Sequence, residues 1–374
     1  MSKKAHLVQT IVFLAFIAVF FVLNLVTPDK EFSQQENRYL QTAPKFSFSS
    51  LFSGKFASSF ETYVTDQFTF RDNWTALKAR SERIVGKDSN NGVYLCEGEQ
   101  LMETFTAPDK EDIDAKIGFV NKLAGNVEAP VYLALIPSVC EIKSDLLPEG
   151  APNDSQKDII DYIYANVDPE RITTVDMYTA LSAHADERIY YRTDHHWTTL
   201  GAYYGYEALA KAFGFSPVPL SDLTETVVTN EFYGTTYSSS GYAWVQPDSI
   251  STYVPTGGEV ITNYPKGAPE AGVLYDESYL TRKDKYSYFY GGNTPLLTIE
   301  TGNEGDKLLI VRDSYMDSLS PYLFEHFSEI HILDLRYYKV SLKAYIAQEG
   351  FDSVLVCYNM KNFCDESNLF LLGF

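Results

Sequence analysis

Hydrophobicity is spread unevenly along this chain, and the longest apolar run comes first. Residues 7–26 are interrupted only by Gln9, Thr10 and Asn24. As a helix, a run of about 20 residues reaches about 30 Å, the thickness of a bilayer's hydrocarbon core. Lys3 and Lys4 stand before it, and positive charge on that short side predicts a cytoplasmic N-terminus with the rest of the chain outside. A cleaved signal peptide is the alternative. No clear small-x-small site lies between Leu23 and Lys30, which favours an uncleaved single-pass anchor in the cell membrane. Both readings put the remaining chain in an extracytoplasmic space.

Residues 27–50 are polar and carry no apolar period, as expected of a tether. Phe56, Phe60 and Tyr63, then Trp74 and Leu77, recur at helical spacing, which predicts one or two amphipathic helices over residues 52–85, packed on the main body. From about Asn91 the pattern becomes strand, helix, strand. Ile113, Ile117, Val120 and Leu123 mark one helix face, and residues 131–136 form a continuous apolar run closed by Pro137, the pattern of a strand buried on both faces. Residues 158–167 predict another helix and 172–175 another strand. Residues 216–301 break this rhythm. They are rich in Thr, Ser, Tyr and Gly, with β-type runs at 226–229 and 250–254, and predict hairpins and loops inserted over one edge of the sheet. Strands return at 308–311, 330–333 and 354–358, with helices near 316–327 and 342–348. The alternation predicts an α/β fold, a sheet covered by helices. The expected organisation is a cytoplasmic tail and transmembrane anchor at 1–27, a tether and amphipathic helices at 28–90, and the α/β domain at 91–374 with its β-rich insertion at about 216–301.

Composition narrows the function classes. Of 374 residues, 45% are hydrophobic and 15% aromatic, enough for a large core. The formal net charge of -20 opposes a phosphate backbone, so no nucleic-acid partner is expected. Cys96, Cys140, Cys357 and Cys364 are few and scattered. An oxidising space permits pairing, with Cys357 and Cys364 closest in sequence, but no C-x-x-C points to a zinc ribbon or a thioredoxin-type site.

Chemistry-bearing side chains concentrate at Asp194-His195-His196-Trp197. Two of the chain's six histidines are adjacent here, ahead of a predicted helix over 200–213 that Thr198 or Thr199 caps and Gly214 ends. Three readings compete. In the plainest, Asp194 is a turn residue and both histidines pack or face solvent. In the second, Asp194, His195 and His196 ligate a metal; neighbouring residues rarely converge on one ion, and no H-x-x-x-H, H-x-H or H-E-x-x-H supplies the usual spacing, so no metal is expected. In the third, an Asp and a His two residues apart in an extended loop point to one side, so that the carboxylate orients the imidazole and stabilises its charged form, with Trp197 shielding both from water.

The third reading needs a nucleophile. Residues 307–311 (KLLIV) predict a strand, Arg312-Asp313-Ser314-Tyr315 follow at once, and a helix comes next. A serine on the turn from a strand's carboxyl end into a helix stands where α/β sheets hold their active sites, with backbone N–H groups near an oxyanion. Capping that helix is the alternative role for Ser314. Asn359, just past the strand 354–358, is a further candidate donor or a loop-capping residue.

The D-H-H-W tetrad and the Asp313-Ser314-Tyr315 turn resemble the DHHW protein family, related to alginate O-acetyltransferase-like, SGNH-hydrolase-like proteins. Weaker pieces follow in order: Glu36-Asn37-Arg38, Asp66-Gln67-Phe68, Phe70-Arg71-Asp72, residues 91–95 (NGVYL), 132–138 (YLALIPS) and 334–338 (DLRYY). The resemblance implies an SGNH-hydrolase-like three-layer α/β fold with a permuted catalytic order, the acid and base preceding the serine. It implies Ser314 as nucleophile, His196 as general base and Asp194 as orienting carboxylate, with His195 at a variable middle position. Tyr315, Arg336, Asn359, Trp197 and His195 become the candidate oxyanion or substrate-binding residues. It further implies an extracytoplasmic O-acetyltransferase or acetylesterase that acts on a cell-surface or secreted polysaccharide through an acetyl-serine, without a cofactor. A multispanning membrane-bound O-acyltransferase is the implied acetyl donor partner. The alternative is a catalytically silent polysaccharide-binding or assembly subunit of the same fold. The 28 tyrosines suit sugar stacking and a packed core equally.

Overall fold

The computed structural model describes residues 3–374; the first two residues of the expected 1–27 segment lie outside it. The chain forms two compact units. One holds the residues up to Asn91 together with Tyr237–Trp244, the other Gly92–Thr236 and Val245–Phe374.

In the first unit, the helix Lys3–Val26 is long and apolar enough to cross a membrane. Three further helices follow, Phe48–Phe52, Lys55–Asp66 and Arg71–Ile84. The polar stretch expected as a tether is fastened to them. The Arg38 guanidinium donates to both Asp66 oxygens at 3.0 and 2.5 Å, and the Gln41 N–H donates to the same carboxylate at 2.8 Å. The hydrogen bonds from Arg38 hold the Asp66 carboxyl below its ordinary range, against the opposing effect of burial.

The second unit is built on an eight-stranded sheet. Its order is Glu270–Ala271, Val260–Asn263, Leu296–Glu300, Phe327–Leu333, Asp306–Arg312, Ser353–Asn359, Val131–Ile136 and Ile172–Val175. The five strands from Phe327–Leu333 to Ile172–Val175 run parallel. The near-continuous apolar runs at 131–136, 308–311 and 354–358 follow from burial on both faces. Leu308 and Ile310 point into one core with the helix Thr199–Phe213; Leu309 and Val311 point into the other with the helices Lys110–Asn126, Gln156–Asn166 and Leu342–Glu349. The fold is therefore mixed α/β, with helices on both faces of a large central sheet.

Two sequence expectations are corrected. Residues 216–301 do not merely lie over the sheet: Val260–Asn263, Glu270–Ala271 and Leu296–Glu300 extend it, each pairing antiparallel. Only Thr226–Phe232 and Asp248–Thr252 form a separate hairpin-like pair. The helix expected near 316–327 is a single turn, Met316–Leu319, followed by a 3-10 turn, Ser320–Leu323. Pro321 explains the break, since it has no N–H and its ring clashes with the carbonyl four residues earlier.

Candidate active site

The strand Asp306–Arg312 delivers Ser314 to the carboxyl end of the parallel strands. Asp313 fixes the turn: its Oδ1 accepts the Tyr315 N–H at 3.0 Å, and its Oδ2 accepts the Asn359 N–H at 2.8 Å and the Asn362 Nδ2–H at 2.7 Å. Burial raises the Asp313 carboxyl above its ordinary value, with these hydrogen bonds opposing the shift.

On the other side, the loop before the helix Thr199–Phe213 is held by buried Asp248. Its Oδ2 accepts the Thr193 N–H at 2.8 Å and the Thr193 hydroxyl at 2.7 Å. Thr198 caps the helix by accepting the Gly201 N–H at 3.2 Å, and Gly214 ends it in the left-handed backbone (φ 84). The loop brings Asp194 and His196 to the serine. His196 Nε2 lies 2.7 Å from Ser314 Oγ, and Nδ1 lies 2.5 Å from Asp194 Oδ1. All three residues are buried. The imidazole thus bridges a hydroxyl and a carboxylate, the geometry in which a hydroxyl proton can be taken up as an oxygen attacks.

Asp194 has every acceptor direction used. Oδ1 also receives the His196 N–H at 3.0 Å, and Oδ2 receives the Thr235 N–H at 2.7 Å and the Thr235 hydroxyl at 3.0 Å. Burial alone would raise this carboxyl, but the neighbouring imidazoles and the hydrogen bonds outweigh it and hold it well below the carboxylate range. Gly234 is required here because a Cβ would stand 2.2 Å from Asp194 Oδ2.

Tyr286, on a 3-10 turn of the 276–290 loop, lies against the other face of the site. Its ring stacks on His196 with centroids 3.8 Å apart and planes 10° apart. Its hydroxyl donates to Ser314 O at 3.2 Å and lies 3.2 Å from Ser318 Oγ. Burial pushes the phenol far above its ordinary value, so it remains a donor.

The other expected residues divide. Trp197 is fully buried, and its indole N–H donates to Tyr315 O at 2.9 Å and lies 3.1 Å from Ser318 Oγ. It ties the histidine loop to the serine turn. Gly205 lets the ring approach, since a Cβ there would be 2.9 Å from the indole. His195 stays partly exposed, with Nδ1 2.6 Å from Thr235 Oγ1 and its ring 3.9 Å from that of His196. The Tyr315 hydroxyl donates to the His195 carbonyl, and its N–H is already given to Asp313. Asn359 Nδ2 is engaged by Ile136 O and Ser138 Oγ, both at 3.1 Å, and its Oδ1 caps the following helix through the Lys361 N–H. Arg336 clasps Asp334 at 2.6 and 2.9 Å and hydrogen-bonds to none of Asp194, His196 and Ser314. All four cysteines are free, three of them buried.

Asp194, His195 and His196 each offer a ligand atom within 4.8 Å of the others. Both His196 nitrogens and both Asp194 oxygens are also hydrogen-bonded within the protein. Beside the site, a cavity of about 260 Å³ is lined by residues including Leu101, Phe105, Ser138, His195, Tyr315 and Asn359.

The family described as DHHW protein matches residues 89–333, about two thirds of the sequence. The chain belongs to the DHHW family. A solved DHHW family protein from Eubacterium siraeum superposes with a TM-score of 0.65 at 26% identity, over 76% of this chain and 95% of the other. Bacillus cereus PatB1, solved with a sulfonyl adduct, superposes with a TM-score of 0.63 at 20% identity, over 75% of this chain and 98% of that one. Among curated relatives, the Pseudomonas putida protein described as "Probable alginate O-acetylase AlgJ" is 23% identical over 181 residues, 46% of this chain. That match spans about half of the relative's length, 47%. The family match ends at residue 333 and so includes the Asp194 loop, Thr235, Tyr286 and Ser314, but not Asn359.

Proposed function

We propose that this DHHW protein is a serine-dependent polysaccharide O-acetyltransferase or acetylesterase. The observation that carries the reading is the Ser314 Oγ to His196 Nε2 distance of 2.7 Å, continued to Asp194 at 2.5 Å. In this reading Ser314 Oγ attacks the carbonyl carbon of an acetyl ester as His196 takes its proton. The leaving alcohol then departs with that proton, leaving acetyl-serine. A sugar hydroxyl or water, deprotonated by the same imidazole, accepts the acetyl group and restores the serine. Asp194 holds the imidazole in one tautomer and stabilises its charged form. The Ser314 N–H is the proposed oxyanion donor, because the Tyr315 N–H is already committed to Asp313.

The acid, base and serine occur in that chain order, so the fold reads as an SGNH-hydrolase-like arrangement with permuted catalytic order. Similarity to a protein named as an alginate O-acetylase supports the polysaccharide substrate class. The apolar helix supports a single-pass anchor with the catalytic unit extracytoplasmic. Acetyl groups must then be supplied across the membrane, the role proposed for a membrane-bound O-acyltransferase partner.

The test is turnover of p-nitrophenyl acetate by the wild-type, Ser314→Ala and His196→Ala proteins. Both substitutions are expected to lower kcat/KM by roughly 10³-fold or more. Equal activity in all three proteins would remove the assignment.

A further inference from the structure

We propose that the helical layer of the first unit, residues 46–85, lies in the headgroup region of the outer leaflet, so that a lipid surface is its partner. This rests on the reading of Lys3–Val26 as a membrane span. Phe20 stands six positions before the end of that helix, about 9 Å at helical rise. Phe68 stacks on Phe20 at 5.9 Å, and Trp74 meets it edge-on at 5.5 Å. Between these contacts, Asn24 Oδ1 accepts the Thr69 N–H at 2.8 Å and the Thr69 hydroxyl at 3.0 Å. The turn joining the helices Lys55–Asp66 and Arg71–Ile84 is therefore fastened to the last two turns of the span. Rings that touch Phe20 must sit at its depth, which matches the ~5–10 Å at which interfacial helices bury their apolar faces.

The surface beyond that contact is of the same kind. Phe48, Phe46, Phe56, Phe60 and Tyr63 form a continuous row with successive centroids 5.5, 5.4, 5.9 and 6.1 Å apart. Phe52, Ile84 and Val85 are 86%, 85% and 82% exposed, more apolar surface than a face in contact with water alone ordinarily carries. The Trp74 indole N–H is satisfied by Thr69 O at 3.2 Å, so that ring carries no unpaired donor into the boundary. Charge does not oppose this: residues 46–85 carry five Lys and Arg against four Asp and Glu, in a chain whose net charge is -20.

The test uses the full chain in lipid nanodiscs, with a nitrobenzoxadiazole label on single cysteines at Phe52→Cys, Ile84→Cys, Phe13→Cys and Glu170→Cys in a Cys364→Ser background. Doxyl groups near the headgroups are expected to quench the labels at 52 and 84 by about twofold or more, doxyl groups deep in the acyl chains to quench the label at 13, and neither to affect the label at 170. Quenching at 13 with none at 52 and 84 overturns this proposal alone. No quenching at 13 overturns the membrane span, and this proposal with it. Labels at 52 and 84 that are shielded from aqueous iodide yet insensitive to doxyl lipid would assign the face to a protein partner or a second copy, and would also overturn it.

Discussion

Tyr286 lies flat on the imidazole of His196, centroids 3.8 Å apart, while its hydroxyl holds the carbonyl of Ser314 at 3.2 Å. One side chain thus positions both the proposed base and the proposed nucleophile. Tyr286→Phe keeps the stack and loses a hydrogen bond, so kcat on p-nitrophenyl acetate should fall by no more than about tenfold. Tyr286→Ala loses both, and a fall of roughly 10–100-fold is expected with KM little changed. Equal kcat in the Phe and Ala variants would assign the stacking no role.

Gly234 leaves no room for a methyl group. A Cβ at 2.2 Å from Asp194 Oδ2 forces the carboxylate away from His196, so Gly234→Ala should reduce turnover by roughly 100-fold or more and destabilise the fold by about 1–3 kcal/mol. Thr235→Val keeps the backbone donor to Asp194 but removes the hydroxyl that donates to Asp194 and partners His195 Nδ1, and should cost about 1–3 kcal/mol in transition-state stabilisation. Thermal unfolding and steady-state kinetics on the same preparations separate the two effects.

Much of the fold was legible from the sequence, because strands such as 131–136 and 308–311 are buried on both faces and therefore uniformly apolar. The loop geometry that joins Asp194 to His196 was legible for a similar reason: a two-residue spacing needs only an extended backbone. Gly234, Thr235 and Tyr286 were not found. Each reaches the site across 38 to 90 residues from a segment without periodicity, and a glycine chosen for the absence of a methyl group leaves no pattern. Pro321, by contrast, was an available signal against a long helix after Ser314.

Asp317 gives a pH prediction. Burial pushes its carboxyl up to about 7 against the pull of Arg312, 2.8 Å away, with Asp334 adding to the rise. The folded value exceeds the unfolded one of about 4, so as pH rises the unfolded chain ionises first. This group's contribution to stability is full below about pH 4 and is lost as pH rises to about 7. Asp317→Asn should therefore flatten the decline in urea stability between about pH 4.5 and 7, while lowering stability at pH 4.5 by weakening the Arg312 contacts. Parallel pH curves for the two proteins would assign the slope to another group.

Metal removal should be silent. With both His196 nitrogens hydrogen-bonded to Asp194 and Ser314, dialysis against EDTA is expected to leave esterase turnover unchanged. Recovery of lost activity by added zinc would instead support ligation by Asp194, His195 and His196.

The cavity beside the site draws its walls from stretches near residues 101–105, 138–140 and 359–362 as well as from His195, Thr235, Thr236 and Tyr315. The residues of the proposed proton path and those that hold them come from 194–196, 234–235, 286 and 314. On the proposed function, acceptor preference and bond-breaking chemistry thus draw on different stretches of chain that meet at His195 and Thr235. On that reading, recutting the 101–105 wall changes which acceptor fits while Asp194, His196 and Ser314 keep their contacts.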